Sequence, residues 1–124
     1  VSTIKIDTLV KKYDLKNYRI IIKLDIEGNE MSAIQGSLEL VKNSSPLIII
    51  EFSKYIFQKE DNIEYLKNFL IRYDYSIYDT NNNTQNLDNI MNMINNLQKR
   101  HQTIGNFYLI KNSSKTLENF LSNG

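Results

Sequence analysis

The chain of 124 residues has no cysteine and no tryptophan, one proline, one histidine and four glycines. Without cysteine there is neither a disulfide framework nor a thiolate metal site, a composition that fits the cytoplasm. A single histidine leaves no pair for a zinc centre. His101 stands alone after Lys99 and Arg100 and reads as a solvent-facing loop residue. The glycines, at positions 28, 36, 105 and 124, form no glycine-rich turn of the kind that lets a nucleotide approach the backbone. No apolar run nears the roughly 20 residues that cross a bilayer, so no membrane span is expected. Basic and acidic residues nearly cancel to a net charge of +1, too weak a field to recommend nucleic acid.

What is present is concentrated between Ile20 and Glu51. Two short isoleucine-rich runs, 19–24 and 47–52, read as strands covered on both faces. Between them Met31, Ile34, Leu38 and Val41 recur at steps of three or four, which predicts one helix over 30–42. Asn29 or Gly28 suits its start, and Asn43, Ser44, Ser45 and Pro46 stop it. Strand, helix and strand in this order form a βαβ unit, and ligands in open α/β sheets gather beyond the carboxyl ends of the strands. Asp25, Glu27 and Glu51 fall at those ends and mark the candidate site.

The remainder continues the alternation. Ile4, Ile6 and Leu9 give a short alternating start, with Asp7 as a cap for the turn over 8–13. Helix is predicted over 61–73, strand over 75–78, a polar loop at 81–83, helix over 87–99, a last strand over 106–111 and a short helix over 117–121, with a frayed end. The length suits one α/β domain spanning 1–124.

The segment Lys23, Leu24, Asp25, Ile26, Glu27, Gly28, Asn29, Glu30 resembles the FkbM family of S-adenosylmethionine-dependent methyltransferases. The likeness extends to the step Ile34, Gln35, Gly36, to the proline-led strand from Pro46 to Glu51, and upstream to Ile6, Asp7, Thr8, Leu9. It implies a Rossmann-like methyltransferase sheet, mostly parallel with a final antiparallel strand. The matching part begins at what would be the family's fourth strand, so the N-terminal cofactor-binding strands are absent and the chain reads as the C-terminal half of the domain. In the family's order, 3-2-1-4-5-7-6, strand 19–24 is then left as an exposed apolar edge, expected to be covered by self-association or by another chain.

The resemblance also implies S-adenosylmethionine as cofactor and O-methylation of a hydroxyl on a sugar, glycan or secondary metabolite. Asp25 takes the part of general base, with Glu27 as a second acceptor. Asp25 and Gly28 would face the cofactor, while Glu51 and Tyr55 would face the acceptor. Lys23, Asp25 and Glu27 alternate, so in extended conformation they would share one side of the strand end. Other readings stay open for the same residues. The acids could cap the next helix or pair with Lys23, or Asp25, Glu27 and Glu51 could hold Mg²⁺ in a hydrolase. The half-fold could also be a non-catalytic assembly module.

Overall fold

The structure, a computed structural model, describes residues 3–99, 101–112 and 114–122. The basic pair Lys99 and Arg100 and the frayed end are therefore only partly within the described residues. A first helix, α1 (Ile6–Lys12), leads to strand β1 (Ile21–Leu24). Two helices follow, α2 (Glu30–Gln35) and α3 (Leu38–Ser44), then β2 (Leu47–Ser53), the single-turn α4 (Lys54–Phe57) and α5 (Glu60–Arg72). The chain continues through β3 (Tyr75–Tyr78), β4 (Thr84–Gln85), α6 (Leu87–Asn95), β5 (Thr103–Lys111) and α7 (Lys115–Ser122).

The sheet order is β1-β2-β5-β3-β4. β1 and β2 pair in parallel, whereas β5 runs antiparallel to both β2 and β3, and β4 antiparallel to β3. The fold is α/β, but the expectation of a mostly parallel sheet does not hold. β1, β2 and β3 do share a direction, yet β5 is inserted between β2 and β3 and turns that contact into two antiparallel ones. The hairpin strand β4 adds a third.

The register sorts side chains into two faces. Ile22, Ile48, Leu109 and Ile77 lie side by side in one row, with Leu24, Ile50 and Phe107 in another on the same face. Helices α2 to α6 close this face with Met31, Ile34, Val41, Ile56, Leu66, Phe69, Ile90 and Ile94, making one buried cluster. Phe52 stands at its centre, fully buried, with the rings of Phe57 and Phe107 at 5.5 and 5.2 Å. The opposite face carries Ile21, Lys23, Ile49, Tyr108 and Tyr78. Among described residues α7 packs there, its Phe120 ring 5.7 Å from Tyr78 and 5.1 Å from Tyr108. β1, at the sheet edge, leaves Ile21 63% exposed. Coverage on both faces is thus not what the isoleucine run of β1 meets.

Several local readings also change. The alternating start is helix α1, and Asp7 does not cap its own turn. Its Oδ2 and Oδ1 accept from the backbone N–H groups of Glu39 and Leu40, both at 3.0 Å, so it caps α3 across 32 residues of chain. The single helix expected over 30–42 breaks at Gly36 and Ser37, where the buried Ser37 hydroxyl donates to the Ile34 carbonyl at 2.8 Å. The kink lets Asp7 N–H reach the Gly36 carbonyl at 2.9 Å. Farther on, Tyr75, its hydroxyl pKa raised by burial, donates to the Pro46 carbonyl at 2.8 Å and ties β3 to the start of β2. In the β3–β4 turn Asp79 accepts from the N–H groups of Asn83 and Asn81 and from Gln85, which lowers its pKa.

Candidate active site

Beyond the carboxyl ends of β1 and β2 the chain does not keep the strand alternation that would have set Lys23, Asp25 and Glu27 in line. β1 stops at Leu24, and residues 25–29 form a turn. Glu27 adopts φ 48° and Gly28 φ 98°, a left-handed pair that reverses the backbone. Buried Glu30 holds this turn from within. Its carboxylate accepts from Gly28 N–H at 2.8 Å and from Ile26 N–H at 3.3 Å. Asn29, expected to start the helix, makes no side-chain cap; its amide donates back to the Ile26 carbonyl at 3.4 Å.

The turn brings Asp25 and Glu27 into a cavity of about 180 Å³, also lined by Glu30, Glu51, Ser53, Tyr55, His101 and Thr103. Four of the predicted site residues, Asp25, Glu27, Glu51 and Tyr55, therefore meet in one place, while Lys23 is not among them. Gly28 stands behind the pocket wall. A Cβ built there would come within 3.2 Å of Tyr55 Cβ, so the glycine lets the turn lie against Tyr55.

The opposite wall was not legible in the sequence. The pairing of β2 with β5 shifts register between Glu51 and Ser53, a bulge that re-aims the strand end, and Ser53 then pairs with Thr103. Helix α6 ends at Asn95, four residues before its predicted end, and the freed chain turns back toward the sheet. Gln102 sets this turn by accepting from the N–H groups of Gln98 and Lys99, each at 2.9 Å. His101, read as an isolated loop residue, is exposed but reaches the pocket rim through it. Among the described residues no three acidic, histidine or cysteine side chains come together as metal ligands. The acids line the cavity without converging on a point.

A larger cavity, about 660 Å³, lies elsewhere, lined by Arg19, Ile20, Ile21, Leu47 and Phe120 with the turn at 80–82. It is the uncovered part of the open sheet face and holds none of the acids. Size does not identify the site here.

A family model for the methyltransferase FkbM domain matches residues 1–77, more than half of the chain. The chain belongs to the FkbM methyltransferase family. No curated protein and no solved structure matches it significantly. The FkbM match runs from α1 into β3, so it contains the turn over 25–29, Glu51 and Tyr55, and stops short of His101 and Thr103. No helix among the described residues is long and apolar enough to cross a membrane.

Proposed function

We propose that the chain is the acceptor-side, C-terminal half of a Rossmann-like, S-adenosylmethionine-dependent methyltransferase domain. In this reading it is a cytoplasmic unit that methylates a hydroxyl of a sugar, glycan or secondary metabolite. The order β1-β2-β5-β3 is what positions 4-5-7-6 of the family's usual sheet would give, with the seventh strand antiparallel. The unpaired edge of β1 is then where the strand bearing the cofactor turn would add, and a chain without that strand would cover the edge by self-association.

The observation that carries the proposal is the turn over 25–29, fixed by Glu30 so that Asp25 and Glu27 face Glu51 and Tyr55 across one cavity. Asp25 takes the proton of the acceptor hydroxyl, and Glu27 orients that hydroxyl as a second acceptor. Glu51 and Tyr55 hold the acceptor from the β2 side. The residues fit the cofactor in part: Asp25 and Gly28 would lie at its edge, and the sequence holds no glycine-rich turn. When bound, S-adenosylmethionine supplies an electrophilic methyl group; the protein supplies position and a base.

Calorimetry of S-adenosylmethionine with this chain alone should give little or no heat, and tight binding would overturn the half-site reading. In a protein joining this chain to a glycine-rich strand–turn–helix, Asp25→Asn should lower kcat by roughly 10²–10⁴ with KM little changed. An unchanged rate would demote Asp25 to a structural role.

A further inference from the structure

Strand β1 ends the sheet, and among the described residues only β2 pairs with it. One hydrogen bond fixes which of its backbone groups face the free edge. Leu47 N–H donates to the Ile20 carbonyl at 3.3 Å, so Ile20, Ile22 and Leu24 turn theirs toward β2. Ile21 and Lys23 therefore present their N–H and C=O groups outward. The Ile21 side chain is 63% exposed, and Tyr18, just before the strand, 66%. Lys23 alone blunts this edge, which has neither a bulge nor a proline.

Symmetry and charge then select what fits. Two copies of one surface meet about a two-fold axis, which at a sheet edge makes the paired strands antiparallel. Antiparallel strands exchange both hydrogen bonds between residues that each face outward. The registers that meet this condition differ in charge. Setting Ile21 against its own copy puts Arg19 opposite Lys23, and setting Lys23 against its own copy joins two lysines. With Ile22 on the axis, Ile21 of each copy faces the partner's Lys23, and every outward backbone group of the strand is paired. Arg19 then lies beside the carboxyl end of the partner's β1, where the turn over 25–29 is acidic. Ile22, half-buried against the helical core, meets its copy where side chains approach most closely.

We propose that this chain by itself forms a symmetric dimer through β1, with Ile22 on the axis and the two sheets joined into one. This rests on the half-domain reading, in which the same edge receives the strand bearing the cofactor turn. Copy and strand exclude each other, so the dimer is the resting state of the chain and addition of the strand dissolves it.

The chain holds no cysteine, so single substitutions report the register without background. Ile21→Cys, Ile22→Cys and Lys23→Cys are oxidised separately at equal concentration. Ile22→Cys should cross-link at least about tenfold faster than the others, because only there do identical positions face each other within the roughly 4.4–6.8 Å between Cα atoms that a disulfide spans. Sedimentation of the unaltered chain should give twice its 14.6 kDa, falling to that mass on dilution. Lys23→Pro deletes an outward N–H that β2 does not use, and should leave a monomer with unchanged circular dichroism. Should that variant unfold, Ile21→Lys decides: it sets a lysine against the partner's Lys23 and should also give the monomer. A chain that stays monomeric when concentrated overturns the proposal, as does cross-linking that is equal at the three positions or fastest at position 21 or 23. In a protein joining this chain to a glycine-rich strand–turn–helix, Ile22→Cys should no longer cross-link, and persistence of the dimer there also overturns it. Binding of S-adenosylmethionine by that joined protein is measured separately, so loss of the dimer leaves the methyltransferase reading standing.

Discussion

The two faces of the sheet are made from the same strands and much the same residues, yet they do different work. One face packs isoleucine, leucine and phenylalanine rows against helices α2 to α6; the other, apart from α7, is open over β1 and the start of β2. In the runs 19–24 and 47–52 only Arg19, Lys23 and Glu51 are polar, so period-2 patterning gives little information on which side is covered. Hydrophobicity says that a strand wants partners. It does not say that it has them.

Five substitutions test this contrast, in falling order of effect. Phe52→Ala removes a ring packed between Phe57 and Phe107 and should cost about 3–5 kcal/mol in chemical denaturation. A cost near zero would mean that the helical face is not the stabilising one. Glu30→Gln exchanges one of two carboxylate oxygens for an amide donor facing a backbone N–H, and should cost about 1–3 kcal/mol. Hydrogen exchange at Gly28 should quicken in that variant; unchanged protection would detach Glu30 from the turn. Asp7→Ala frees the N–H groups of Glu39 and Leu40 and should cost about 0.5–2 kcal/mol, with faster exchange at both. Removing Lys11, whose ion pair with Glu39 at 2.9 Å is solvent-exposed, should matter far less than that. Ile21→Thr on the open face should change stability by no more than about 0.5 kcal/mol. A cost like that of Phe52→Ala would show that the open face is covered in solution.

How much of this could be read in advance differs by element. The βαβ unit, helix α5 and strand β3 follow from side-chain period alone, and the acids at the strand ends were placed by that topology. Three things were not legible. Gly36 breaks the helix because Asp7, distant in sequence, supplies the cap that a new start needs, and no local pattern announces such a partner. Glu27 reaches the pocket by a left-handed turn, where alternation would have set it beside Lys23. His101 depends on where α6 stops, a boundary decided by Gln102 folding back on Gln98 and Lys99. The first of these lies in a hydrogen bond between distant segments, the other two in turns closed by a side chain two to four residues away.

The insertion of β5 between β2 and β3 has a consequence for synthesis. The strand that completes the middle of the sheet is made late, with forty-nine residues between Ser53 and Thr103. At about 5–20 residues per second a ribosome takes roughly 3–10 s to supply it. Throughout that interval the isoleucine-rich β2 has a waiting edge, a natural target for a holdase chaperone or for a neighbouring nascent chain. Cooperative closure of this sheet must wait for its C-terminal strand.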